Sequence, residues 1–259
     1  MTLTVDEIQV ADAPDAWARA GFTVDSAGDA VPCCRVGGVH IRLVGPHHGS
    51  GIVGWSLGGL PAGFSGELDG IATVRSDGCG AATASTPTDV NPAASTPTDV
   101  SSAAAASTPA DVGPAAPAST STHAPRAAPA EHPNGVTAID HVVLLSPDPD
   151  RTVAAMEALG EHPRRERRGE LGGQPIRQIF FRFGEVIVEV VGAPAAAGDG
   201  PSTLWGITYD TADIDATAAF FGERTAPVKP AVQPGRRITT VRHRELDISV
   251  RTAMISARH

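Results

Sequence analysis

The chain has few of the side chains that usually fill a core. Only 4% of its 259 residues are aromatic, with a single tyrosine, against 28 glycines and 22 prolines. A chain this poor in large side chains is expected to pack only part of its length. Its three cysteines, two of them adjacent at Cys33 and Cys34, make neither a disulfide framework nor a zinc spacing. Reduced thiols in a cytoplasmic protein are the expectation. No apolar run approaches the roughly 20 residues that span a bilayer, and the N-terminus lacks the basic and apolar regions of a signal peptide. Membrane partners are therefore not expected. Nor is nucleic acid, because the net charge is -9 and no basic footprint stands out. The charge is uneven: residues 1–135 hold 5 Lys/Arg against 13 Asp/Glu, and the remainder holds 15 against 16.

What is present falls into two structured pieces around a spacer. From Asp77 to Pro133 the chain is mostly Ala, Ser, Thr and Pro, with S-T-P-T-D-V at Ser85 and Ser95 and S-T-P-A-D-V at Ser107. Such a tract offers little apolar surface to offset the entropy of ordering it, so residues 77–135 read as a disordered linker. The expected boundaries are 1–76, the linker, and 136–259.

The stretch from Ile139 to Pro194 has the punctuation of one βαβββ module. Ile139–Leu145 is rich in Val and Leu and favours a strand. Asp148 can cap a helix, Pro149 suits its first turn and Gly160 its exit. In V-I-V-E-V-V, alternation sets Val186, Val188 and Val190 on one face and Glu189 on the other with Ile187 and Val191. A carboxylate among apolar neighbours needs water, a cation or a donor unless it lies on an exposed face. Along I-R-Q-I-F-F-R-F, Gln178, Phe180 and Arg182 share one face. They offer an amide, an aromatic wall and a guanidinium to a small anionic or planar ligand. The run Arg164–Arg168 reads as a solvated edge strand rather than an anion clamp.

A second module follows in register. Thr203–Tyr209 reads as its opening strand, and Asp213 caps a helix whose Ile214, Thr217, Ala218 and Phe221 share a face that ends at Gly222. Strands are expected near 236–243 and 247–255. Trp205 and Tyr209 read as rim or core residues.

Paired modules with this order resemble the vicinal oxygen chelate superfamily, which includes glyoxalase I, extradiol dioxygenases and bleomycin-resistance proteins. The resemblance covers about residues 137–257. It implies an α+β fold whose paired βαβββ modules roll a mixed sheet into a cup, with metal ligands projecting inward from first and last strands. His141 falls on the first-strand ligand position and Glu189 on the last-strand position. L-W-G-I-T-Y aligns with I-D-H-V-V-L, so Gly206 holds the matching first-strand position of the second module. Its last-strand position falls near Ser249 or Arg251, and His243 could add a nitrogen. The resemblance thus implies a small-molecule ligand, an incomplete metal site and, as cofactor, at most a weakly bound divalent metal. If the protein is an enzyme of lyase, isomerase or dioxygenase type, Glu189 is its ligand or base and His141 its ligand. The alternatives are a metal-free, resistance-type sequestering protein and, third, a hydrolase using Ser56. In the metal-free case His141 is a hydrogen-bonded residue of the cup wall.

The N-terminal piece looks like a worn copy of the same unit. V-D-E-I-Q-V aligns with I-D-H-V-V-L, so Glu7 stands for His141, and Arg42 stands for Glu189. A carboxylate facing a guanidinium forms an ion pair, not a metal site. The piece has a helix near Pro14–Ala20, no clear fourth module follows it, and its core is too small to stand alone. It is expected to pack on the C-terminal domain or on another subunit, the latter making a homodimer. Gly54-Trp55-Ser56-Leu57-Gly58 matches the nucleophile elbow G-x-S-x-G, but the glycines and Pro61 after it break the helix an elbow requires.

Overall fold

The computed structural model describes residues 2–26, 28, 30–76, 130–171 and 173–258, so nearly all of the linker, including its repeats, lies outside the described residues. The N-terminal piece runs β1 (Thr4–Val10), α1 (Pro14–Arg19), β2 (Cys33–Val36), β3 (Val39–Leu43), β4 (Ile52–Gly58), β5 (Glu67–Leu68) and β6 (Ile71–Arg75). The C-terminal piece runs β7 (Val136–Leu145), α2 (Pro149–Glu157), β8 (Arg165–Leu171), β9 (Gln174–Phe183) and β10 (Val186–Gly192). It continues with β11 (Thr203–Thr211), α3 (Ile214–Phe221), β12 (Lys229–Pro230), β13 (Arg237–Thr240) and β14 (Arg251–Ser256).

The helix ends follow the local chemistry of the sequence. The Asp148 carboxylate accepts the Arg151 N–H at 3.1 Å at the start of α2. Asp213 accepts the N–H groups of Asp215 and Ala216 at 2.9 and 3.1 Å at the start of α3. Each carboxylate satisfies backbone donors that a helix start leaves free.

The strands form a six-stranded sheet, β2-β3-β1-β4-β6-β5, and an eight-stranded sheet, β12-β13-β14-β11-β7-β10-β9-β8. Within each module the first strand lies parallel to the last: β1 with β3, β4 with β6, β7 with β10 and β11 with β14. The first strands of paired modules run antiparallel at the centre, with Ile8 opposite Trp55 and Val142 opposite Ile207. The fold is α+β, with two curled mixed sheets built on one plan. Strands β4 to β6 form a reduced fourth unit of three strands without a helix. The repeat register marks Ile52–Leu57 as its opening strand, but the sequence shows no clear module there. It was hidden because Gly59, Pro61 and Gly63 follow β4 where the other modules have a helix.

The last two strands of the C-terminal piece are shorter than expected. His243–Leu246 forms a 3-10 turn instead, and Asp247 adopts a left-handed φ of 59°. The His243 ring nitrogen Nδ1 lies 2.7 Å from the Ile248 carbonyl, away from the cup.

The apolar faces of the two sheets meet in one core that includes Trp55, Phe181, Phe183, Tyr209 and Trp17. The Trp55 and Phe183 rings lie 6.0 Å apart, and those of Phe22 and Tyr209 5.3 Å apart. Each such buried side chain contributes on the order of 2 kcal/mol. Polar ties cross the same junction. Asp69 accepts from Arg151 Nε at 2.5 Å, from Ser202 Oγ at 2.6 Å and from Thr152 Oγ1. Asp12 accepts from the Ser249 N–H at 2.9 Å and hydroxyl at 2.5 Å. Residues 1–76 therefore pack on the C-terminal piece as part of its core.

Candidate functional site

The cup face of the eight-stranded sheet carries the residues that alternation turns away from the core. Ile179, Phe181 and Phe183 of β9 are buried, which leaves Gln178, Phe180 and Arg182 on the other face. Those three line a cavity of about 1190 Å³ together with His141, Ile187 and Glu189. All five site residues named from the sequence therefore share one cavity.

Their side chains are joined across the cup floor. Arg167 Nε on β8 donates to Gln178 Oε1 at 2.8 Å, and Gln178 Nε2 donates to Glu189 Oε1. Glu189 Oε2 lies 3.5 Å from His141 Nε2. On the far side of the imidazole, Nδ1 lies 2.7 Å from Asp140 Oδ2. Asp140 Oδ1 accepts from Arg236 Nη1 at 2.5 Å and from Arg258 Nη2 at 3.1 Å. Arg236 also binds Asp210.

Asp140 is the residue that the sequence reading missed. Burial pushes its carboxyl up, but hydrogen bonds from His141 and Arg236, with their charges, outweigh burial and hold it well below the usual carboxylate range. A carboxylate held ionised can only accept, so it accepts a hydrogen bond from Nδ1–H and fixes the tautomer and tilt of His141. Nε2 then faces the Glu189 carboxylate. A neutral ring would set a lone pair against an anion there, so the gap calls for a shared proton or a cation. Burial pushes Asp210 up, and the Asp140 charge adds to that against the pull of Arg236. The signal for Asp140 was its adjacency to His141. Strand alternation alone places neighbours on opposite faces and so hid the contact.

The basic run lies on an exposed edge strand, as expected, and also borders the cavity. β8 is that edge strand, and Arg164, Arg165 and Arg167 line the cavity. Arg165 sits opposite Phe180 and Arg167 opposite Gln178, so alternation carries both to the cup face. The Arg167 guanidinium lies 5.6 Å from the Phe180 ring centre. Arg182 Nε donates to the Gly184 carbonyl at 2.7 Å.

The other expected ligand positions are also resolved. Gly206 lies beside Arg251 on the parallel strand, and a Cβ there would stand 2.8 Å from the Arg251 carbonyl oxygen. Gly54 is its counterpart in the N-terminal sheet, where a Cβ would stand 3.0 Å from the Ala72 carbonyl oxygen. A ligating side chain fits neither place unless the strands spread. Glu189 pairs beside Val143 as Ala253 pairs beside Thr208, so the second module's last-strand position is Ala253, not Ser249 or Arg251. Ser249 faces Asp12, and Arg251 stacks 4.6 Å from the Trp205 ring centre. In the N-terminal sheet Arg42 Nε and Nη2 grip Glu7 Oε2 at 2.9 and 2.7 Å, the ion pair expected there. Ser56 lies inside β4 opposite Glu7 with no helix after it, so the nucleophile elbow is not formed.

Among the described residues, no group of three His, Cys, Asp or Glu gathers in a metal-binding arrangement. A catalytic divalent metal ordinarily has three protein ligands. His141 and Glu189 alone, with Glu189 already held by Gln178, do not fit a tightly bound ion.

Fold and site together define a cupped-sheet α+β protein with a half-open cavity lined by polar and apolar side chains. It has the fold of the vicinal oxygen chelate superfamily, as comparison with solved structures shows. A triple mutant of 4-hydroxymandelate synthase from Streptomyces coelicolor aligns at 12% identity and TM-score 0.56, covering 100% of this chain and 94% of that one. A fusion of a xylose isomerase-like TIM barrel with 4-hydroxyphenylpyruvate dioxygenase aligns at 12% identity and TM-score 0.54, covering 100% of this chain and 49% of that one. A methylmalonyl-CoA epimerase from Streptomyces coelicolor aligns at 21% identity and TM-score 0.37 over 47% of this chain and 95% of that one. No protein-family model and no curated protein matches the chain. Among the described residues no helix is long and apolar enough to cross a membrane.

Proposed function

We propose that the cup binds a small organic molecule and moves a proton on it, with Glu189 as base and His141 as its partner, in isomerase- or lyase-type chemistry. The observation that carries this reading is the line Asp140–His141–Glu189, at 2.7 and 3.5 Å, opening into a cavity large enough for an organic substrate. Asp140 positions the ring, as a carboxylate behind an imidazole does in other proton-transfer sites. His141 Nε2 faces one oxygen of Glu189 and Gln178 donates to the other, which fixes the carboxylate at the wall of the cavity.

A second reading is a binding or sequestering protein. It is favoured by the short metal-ligand set and by the Gln178 hydrogen bond that occupies Glu189. The test has two stages on the full chain. Small organic acids are first screened by thermal shift, and each hit is then incubated in heavy water and followed by proton NMR. Catalysis predicts deuterium uptake that falls by roughly a hundredfold or more in Glu189→Gln while the ligand still binds. Ligand binding without any uptake by the unaltered protein would favour sequestration.

A further inference from the structure

The whole chain carries a net charge of -9, yet its cup is a cationic island. Arg164, Arg165, Arg167, Arg182 and Lys229 line the cavity, and none of the five forms an ion pair among the described residues. The one carboxylate lining it is Glu189. Two further cations, Arg236 and Arg258, are bound to Asp140.

The pairing of arginines changes with the face of the sheet. On β9, Arg177 points away from the cup and is held by Glu166 at 2.8 Å and Asp150 at 2.5 Å. On β8, alternation sets both carboxylates, Glu166 and Glu170, on the face opposite Arg165 and Arg167. Acidic partners are thus supplied outside the cup and withheld inside it. Like charges gathered around one concave site repel each other and focus a positive potential on whatever enters.

We infer that the ligand of this cup is a polyanionic small molecule, bearing phosphate or carboxylate groups, with a planar or apolar body that rests on Phe180. This deepens the small-molecule reading above and rests on it. Guanidinium groups bind such oxyanions bidentately, and Arg165 and Arg167 offer their forks from one strand face. The cavity of about 1190 Å³ is far larger than one phosphate needs, which leaves room for an organic body between the β8–β9 wall and Lys229 on β12.

The test is calorimetric titration of the full chain with pyrophosphate, phenyl phosphate and citrate, each at low and high salt. At least one should bind, more weakly as salt rises. The double substitution Arg165→Gln with Arg167→Gln should weaken that binding by at least about tenfold, the loss expected for charge-assisted hydrogen bonds. Arg168→Gln, on the opposite face of the same exposed strand, should leave it within about twofold, and circular dichroism checks that each variant is folded. Phosphate probes binding while citrate fails assigns a phosphorylated ligand, and the reverse assigns a polycarboxylate. Failure of all three probes at millimolar concentration, or equal binding by the double variant, overturns the proposal. Glu189→Gln should retain or tighten anion binding, because it removes the cavity's one negative lining group. Anion binding by the unaltered protein with no deuterium uptake would therefore sink the catalytic reading alone.

Discussion

The Nε2 atom of His141 lies 3.5 Å from Oε2 of Glu189, although the two residues are 48 positions apart and sit on different strands. The parallel pairing of β7 with β10 causes this. It sets Ile187 beside His141 and Glu189 beside Val143, so the two polar side chains lean toward each other along one face. The contact joins an imidazole already held by Asp140 to a carboxylate already held by Gln178.

Asp140→Asn should destabilise the protein by about 3 kcal/mol, measured by urea unfolding near neutral pH. It removes a buried carboxylate that binds His141, Arg236 and Arg258 together, and leaves Arg236 with Asp210 as its one carboxylate partner. The effect should depend on pH. Asp140 titrates lower in the folded chain than in the unfolded one, so its contribution is complete above the ordinary aspartate pKa and is lost as pH falls toward the depressed folded value. The gap between the parent and Asp140→Asn should be constant from about pH 5 to 7 and shrink below about pH 4.

Purified protein should carry well under one equivalent of zinc, nickel, manganese or iron by plasma mass spectrometry. Two donors, one of them already hydrogen-bonded by Gln178, hold an ion weakly. One full equivalent that is lost in Glu189→Gln would make His141 and Glu189 ligands of a resident metal and overturn this assignment.

Tyr209→Phe should raise stability by up to about 1 kcal/mol. The ring is fully buried against Phe22, and its hydroxyl is the one buried side-chain polar atom with no hydrogen-bond partner among the described residues. Burial pushes the phenol well above its ordinary pKa, so the group stays neutral and its cost is that of an unsatisfied hydroxyl. A loss of stability in chemical denaturation would show that the hydroxyl does have a partner.

Asp69→Ala should cost about 2–3 kcal/mol and loosen the N-terminal piece. Asp69 holds a left-handed φ of 51°, a conformation costly for alanine, and its carboxylate gathers Arg151, Thr152 and Ser202 of the other piece. Hydrogen exchange should rise first in β5 and β6.

Local chemistry accounts for what could be read from the chain alone. The strand at 139–145, the capped helices after Asp148 and Asp213, and the face carrying Gln178, Phe180 and Arg182 are set by side-chain period and capping, which act over a few residues. The family resemblance brought His141 and Glu189 to one cup, and the alignment of the N-terminal repeat with the C-terminal one predicted the Glu7–Arg42 pair. Other features depended on partners distant in sequence. Asp140 turns to its neighbour's ring because Arg236 and Arg258 arrive from the other end of the domain. The arginines of β8 read correctly as a solvated edge, but that they also border a cavity shows only once β9 and the segment after β12 stand beside them. Glycine stands at position 206 because Arg251 on the paired strand leaves no room for a Cβ, and the fourth module shows only once β4 and β6 pair. Periodicity determined which face each side chain takes. Long-range pairing decided what stands across from it, and that depends on strands brought together only by burying a shared core.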